Sequence, residues 1–414
     1  RHLQAVAGLG RDAGVHGTVP QQQVARRVVV RVALRVLAQQ HARERLPGPC
    51  VVAEIVQFLV EAVGDIGFAF AAGRGFAELA ANGATRLVQA GDDAEAIALR
   101  ADDVSPDIQA CQDFNGHVNA KWLAANPVPA DRTTWGAFPA LGERSLQVQH
   151  EIAKAAAAGD FPEGSMERKV GDFFKAGMDE AAIEAAGLAP VQPVLDEIAA
   201  LADGAGVADW LRTSYAKGRG YVFGFGPSPD FQDSSVNIAY AGQGGLGLPD
   251  KGYYFDEQHA AIRAAYEAHV AATLVLAGAD EAAAAAMAKD VMAFETRLAG
   301  KSMSSEELSR DVSKYYNPVT LEQADAISPA FPWSGFFDAQ GIARPAMFSL
   351  AQPDFHAEVG KMLGDVPVAT WQAYLRFHTL DNAAPFLPRA FAEQNFSFYG
   401  KTLRGQQEMQ PRWK

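Results

Sequence analysis

The sequence predicts a mainly α-helical fold with one small β-hairpin or sheet near residues 221–240. Three observations carry that expectation. Beyond residue 106, apolar residues recur at helical spacing over most of the chain. Asp, Ser and Gly interrupt those stretches where helix caps belong. Alternation of apolar with small or polar residues is confined to one place.

Taken in order, the spacing predicts helices over 145–158, 167–176, 189–201 and 207–217. Tyr221, Phe223 and Phe225 then alternate with small residues. Gly226-Pro227-Ser228-Pro229-Asp230 reads as a turn, and Val236, Ile238 and Tyr240 alternate again. Ile262, Tyr266, Val270 and Leu274 recur every fourth residue until Gly278 ends the pattern. Asp280 is placed to cap a second helix with Met287, Val291, Phe294 and Leu298 on one stripe before Gly300. These two read as a helical hairpin. Further helices are expected over 306–314 and 368–380.

The 414 residues are 49% hydrophobic and 21% charged, enough for a large core, and the mean hydropathy is -0.07. A net charge of -13 argues against nucleic-acid binding, which needs clustered cations. No run reaches the ~18 apolar residues of a membrane span. The nearest, residues 51–72, is broken by Glu54, Glu61 and Asp65. No secretory signal is legible near Arg1. Residues 1–100 hold eleven Arg, no Lys and nine acidic residues, so they carry +2 and the remainder -15. Lys first occurs at Lys121 and Met at Met166. The first hundred residues therefore read either as a basic extension or as sequence translated outside its proper frame or start, the second being favoured.

Local motifs for catalysis are weak. Two His one helical turn apart could hold zinc with a Glu between them, but His150-Glu151 is followed by Lys154, an ammonium where the second ligand would stand. His259, His269, His356 and His378 stand in separate places without a paired ligand. Gly242, Gly244 and Gly247 fit G-x-G-x-x-G, yet Leu248-Pro249-Asp250 follows where a phosphate-binding helix should start, so a structural glycine loop is favoured. Cys111 and His117 are six residues apart, and the preferred reading of Cys111 is a buried thiol. No catalytic or metal-binding residue is assigned to this chain, and no substrate-binding residue can be named.

Four segments carry a resemblance. They are Ala110-Cys111-Gln112-Asp113-Phe114-Asn115-Gly116-His117-Val118-Asn119-Ala120-Lys121-Trp122-Leu123 with Trp135-Gly136-Ala137-Phe138, then Gly245-Leu246-Gly247-Leu248-Pro249 with Tyr253-Tyr254, then Tyr315-Tyr316-Asn317-Pro318-Val319-Thr320, and finally Gln410-Pro411-Arg412-Trp413-Lys414. In this order they resemble the neprilysin and endothelin-converting-enzyme family of zinc metallopeptidases. The resemblance covers residues 106–414 and implies the helical lobe of a two-lobed peptidase whose zinc-binding H-E-x-x-H helix lies beyond the Q-P-R-W-K segment. It implies an N-terminal part of a zinc endopeptidase for small peptides, itself inactive and holding no zinc; the alternative is a standalone, non-catalytic peptide-binding module. A periplasmic, secreted or membrane-anchored location is also implied. Gly142 stands where family members carry a peptide-binding Arg, so that role is not transferred, and Asn119 replaces the second Cys of animal members. Phe114, Trp122, Trp135 and Phe138 are expected to lack a native surface to cover, leaving 106–145 loosely packed and prone to aggregation.

Overall fold

The computed structural model describes residues 104–414, so the reading of residues 1–100 lies outside the described residues. The described residues divide into two compact units, 104–126 with Leu141–Lys175, and Pro127–Ala140 with Ala176–Lys414. Mainly α with a small sheet is the fold observed.

Helix α1 (Phe114–Ala125) starts at Asp113, whose carboxylate accepts from Gly116 N at 2.8 Å. None of its residues is buried, and Phe114 and Trp122 face solvent. Helix α2 (Ala137–Ala158) begins eight residues ahead of the expected 145. Pro139 falls in its first turn, where the missing N–H has no partner to lose. Phe138 is exposed and Trp135 half-buried. Helix α3 (Met166–Met178) lies close to α2 at Gly171: a Cβ there would come within 2.4 Å of the carbonyl oxygen of buried Ala156.

In the second unit, α4 (Glu180–Ala186), α5 (Gln192–Ala199) and α6 (Gly204–Ala216) precede strands β1 (Phe223–Pro229) and β2 (Asn237–Gln243). The hairpin is present, antiparallel, with Phe223 opposite Gln243 and Pro229 opposite Asn237. The expected turn at 226–230 is corrected, because strand continues through Pro229. The reason is edge geometry. Tyr215 Oη accepts from Phe223 N at 2.8 Å and donates to Phe223 O at 2.6 Å, so Phe223 turns its backbone away from β2. Pro227 and Pro229 share its parity, and a proline costs no ladder bond on that outer side. Tyr240 Oη donates to Pro229 O at 2.9 Å, which further closes the edge. Two short strands escape the sequence pattern: β2 runs parallel to β4 (Phe348–Leu350), and β4 antiparallel to β3 (Pro318–Val319).

The helical hairpin is α8 (Ala260–Leu276) and α9 (Glu281–Lys301). Gly278 takes φ +88° between them, and Asp280 accepts from Ala283 N at 2.9 Å, as the caps predicted. Tyr266, Val270 and Leu274 are buried, as are Val291, Phe294 and Leu298. Later come α10 (Ser305–Arg310), α11 (Leu321–Ile327), α12 (Trp333–Ala339), α13 (Pro353–Asp365), α14 (Val368–Ala383) and α15 (Arg389–Asn395), then a π-helical turn at Phe396–Thr402. The helix expected over 306–314 stops at Arg310 because Asp311 starts a separate 3-10 turn, Val312–Tyr315, by accepting from Ser313 N. Helix α13 was hidden by Gly360 and Gly364. Gly360 serves close packing, since its Cβ would meet Ser328 Cα at 3.2 Å.

His356 sits on α13 among the rings of Phe223, Trp333 and Phe355, almost fully buried and with Nε2 unpartnered. Burial lowers its pKa from 6.5 to about 4, while backbone hydrogen bonds at Ala241 and Ala351 push weakly the other way. In the unfolded chain the ring takes its proton near 6.5, so the neutral ring's contribution is complete above that pH and is lost as pH falls from 6.5 toward 4. A shift of this size is worth roughly 3 kcal/mol when fully expressed. His356→Phe should therefore flatten the fall in urea midpoint between pH 7 and 5; parallel slopes for parent and variant would refute this.

Candidate functional site

The glycine loop after β2 is held by packing, as the structural reading had it. Gly245 takes φ +76°, and a Cβ there would lie 2.7 Å from Tyr374 Oη and 2.8 Å from Val222 O. At Gly247 it would fall 1.7 Å from Tyr266 Oη. Only glycine permits this approach of backbone to buried phenols. A four-residue helix, α7 (Gly252–Phe255), follows the Leu248-Pro249-Asp250 turn, too late to serve a phosphate on the loop.

What the loop closes on is Glu295, a fully buried carboxylate on α9. Its Oε2 accepts from Gly247 N at 3.0 Å and Tyr254 Oη at 2.6 Å; its Oε1 accepts from Tyr266 Oη at 2.9 Å and His378 Nε2 at 2.8 Å. Tyr254 Oη in turn accepts from Leu248 N at 3.0 Å. Four donors from the loop, α7, α8 and α14 thus satisfy one charge, as a buried carboxylate requires. Burial and the neighbouring Glu295 charge push the phenols of Tyr254 and Tyr266 far above their ordinary range, so both remain donors.

A second carboxylate continues the network. Asp381 on α14 accepts from His269 Nε2 at 3.0 Å, Asn395 Nδ2 at 2.8 Å and Tyr399 Oη at 2.9 Å. Burial alone would raise its pKa, but the hydrogen bonds from His269, Asn395 and Tyr399 outweigh it and the net shift is downward. Burial first, and then the charges of Asp381 and Glu295, push the Tyr399 phenol far above its ordinary range, so Tyr399 stands in the field of both carboxylates. His378, Asp381, Asn395 and Tyr399 form part of the wall of a cavity of about 1030 Å³. Other residues of the π-helical turn that holds Tyr399, and the Gln410-Pro411-Arg412-Trp413-Lys414 segment, also line it.

The residues weighed from sequence lie elsewhere or are already occupied. His150 packs its ring against Phe174, with centroids 5.7 Å apart, and Lys154 pairs with Glu151 at 3.2 Å. Cys111 is corrected: it is an exposed free thiol, because the turn that carries it leads into a helix with no buried face. His117 Nδ1 bonds Ile108 O at 2.7 Å. His259 stacks on Tyr253. His269 and His378 are not isolated, as their spacing suggested, but each is tied to a carboxylate. Glu295 was missed, although a signal existed: it lies four residues after Val291 and three before Leu298, on the apolar stripe itself. The donor set does not fit a zinc ion. Among the described residues no three His, Cys, Asp or Glu side chains are grouped to hold a metal.

Comparison with known proteins supplies a context for this geometry. The family model for Peptidase family M13 matches residues 110–414. Endothelin-converting enzyme-like 1 of Mus musculus is 30% identical over 303 residues, covering 69% of this chain and 39% of that protein. Endothelin-converting enzyme 1 of Cavia porcellus is 24% identical over 328 residues, covering 75% and 42%. The inhibitor complex of Mycobacterium tuberculosis zinc metalloprotease Zmp1 superposes with a TM-score of 0.70 at 33% identity, over 76% of this chain and 48% of that one. PepO of Lactobacillus rhamnosis shares the fold, with a TM-score of 0.64 at 21% identity. The chain spans about two fifths of the curated relatives named here and just under half of the solved structures.

Proposed function

The chain belongs to Peptidase family M13, a family of zinc metallopeptidases, and from that premise we propose that it is the N-terminal part of a zinc endopeptidase acting on small peptides. In this reading residues 106–414 form the family's N-terminal domain, and residues 1–100 stand outside it. Zinc and the water-activating residues belong to the portion of the relatives that this chain does not cover. The observation that carries the reading is the family match over residues 110–414, in a chain that spans about two fifths of the length of the curated relatives named above. A periplasmic, secreted or membrane-anchored setting goes with it; no helix among the described residues is long and apolar enough to cross a membrane. A non-catalytic peptide-binding module is the second reading, favoured by the cavity beside Asp381.

After dialysis the purified chain should hold no stoichiometric zinc and should leave fluorogenic peptides uncut, and the same chain fused to the remaining half of a relative should gain chelator-sensitive cleavage. One tightly held zinc per chain, with peptidase activity that chelation abolishes, would overturn the proposal.

A further inference from the structure

Helix α1 begins with a pair of residues that the rest of the described chain does not repeat. Asn115 is followed by Gly116, and none of the other asparagines between residues 104 and 414 precedes a glycine. The remaining Asn-Gly pair of the sequence, Asn82-Gly83, lies outside the described residues. Such a pair is chemically labile, because a glycine amide carries no side chain to shield it from the amide carbon of the residue before. Asn115 itself is exposed. How the backbone around it is held decides what the pair does.

Asp113 does the holding. Its carboxylate accepts from Gly116 N at 2.8 Å, and its carbonyl oxygen accepts from His117 N at 2.9 Å. The nitrogen that could attack Asn115 is thus engaged by the helix cap. Asn119 Nδ2 donates to Asn115 Oδ1 at 2.9 Å, which lays the amide along the helix surface. His117 is pinned in turn from the segment ahead of the helix: its Nδ1 donates to Ile108 O at 2.7 Å, and its carbonyl oxygen accepts from Ser105 N at 2.7 Å. The glycine belongs to the same device. A Cβ at position 116 would lie 2.3 Å from Asp113 Oδ2 and 2.9 Å from its Cγ, so the residue that leaves Asn115 labile is also the one that lets the cap close.

We propose that Asn115 is a site of covalent modification, deamidated by its own backbone, and that the Asp113 cap governs the rate. When the first turn opens, Gly116 N is released from Asp113 and Asn115 can leave the helical dihedrals that keep the two groups apart. The nitrogen gives its proton to solvent and bonds to Asn115 Cγ; the side-chain nitrogen takes up a proton and leaves as ammonia, and a five-membered cyclic imide remains. Water then opens that ring at either carbonyl. One route leaves aspartate, whose charge at the second position of α1 suits the positive end of the helix dipole. The other leaves isoaspartate, which puts an extra methylene into the backbone and throws the bonds from His117 N to Asp113 O and from Ser105 N to His117 O out of register. None of these steps uses the peptidase reading, so the two stand or fall in separate experiments.

The full 414-residue chain, incubated in mildly alkaline buffer and mapped by peptide mass spectrometry beside D113A and D113N, tests this. Asn115 of the parent should convert to a mixture of aspartate and isoaspartate, more slowly than in a synthetic peptide spanning residues 110–123. D113A should convert about fivefold faster, the amount by which a lost cap favours opening of the first turn. D113N keeps a side-chain oxygen of equal capping strength and should convert at the parent rate. In concentrated urea all three chains should convert alike, since no cap then operates, and that comparison holds even if D113A folds poorly. No product at Asn115 in parent or D113A while the peptide converts fully, D113A converting at the parent rate, D113N converting as fast as D113A, or a difference that persists in urea would each overturn the assignment.

Discussion

Glu295→Ala should leave the chain unable to reach its native state. Removing the carboxylate strands Gly247 N, Tyr254 Oη, Tyr266 Oη and His378 Nε2, the two phenols in the buried core and the other two donors where the core meets the cavity. Each buried donor without a partner costs about 1–3 kcal/mol, so four of them rival the ~5–15 kcal/mol that holds a typical domain folded. Glu295→Gln keeps the volume but presents an amide N–H₂ to a site supplied only with donors, so it should cost less than alanine while still lowering the urea midpoint. Far-UV circular dichroism and urea titration measure both. A Glu295→Ala chain with the parent's midpoint would show that the four donors find other partners and would sink the claim.

The second large effect is expected at Gly247. A methyl group there would lie 1.7 Å from Tyr266 Oη and 2.5 Å from Tyr266 Cζ, and the ring is fully buried and cannot swing clear. The loop must move instead, which breaks the bond from Gly247 N to Glu295. Overpacking costs about 1–3 kcal/mol, and losing a hydrogen bond to a charged group about as much again. Gly247→Ala should therefore destabilise by about 3–5 kcal/mol, where Gly164→Ala, a positive-φ position with open space around it, should cost about 1 kcal/mol. Because the nearest atom is the hydroxyl, Tyr266→Phe should relieve part of the clash, and the double variant should be less unstable than the two single effects combined. Strict additivity would place the strain somewhere other than this contact.

These two sites show how differently the fold and the site could be read. Helices α8 and α9 were legible because their caps and stripes are local: Tyr266, Val270 and Leu274 repeat at one turn, and Asp280 caps what Gly278 has ended. The β1–β2 pair was legible for the same reason, though the prolines misplaced its turn. Strands β3 and β4 were not, since two or three residues carry no period and their pairing joins segments far apart in the chain. Cys111 was misjudged because a thiol's burial depends on what lies across from it.

Sequence by itself determined the mainly helical class, the helical hairpin, the glycine loop as a structural device and the family to which residues 110–414 belong, because each is written in residues close together or in an ordered set of motifs. Tertiary structure alone decided what the loop is for. Gly247, Tyr254, Tyr266, Glu295 and His378 span more than 130 residues of chain, and nothing in their local spacing states that one carboxylate will collect four donors. The cost of burying an unpaired charge enforces that meeting, and it acts only once the chain has folded back on itself.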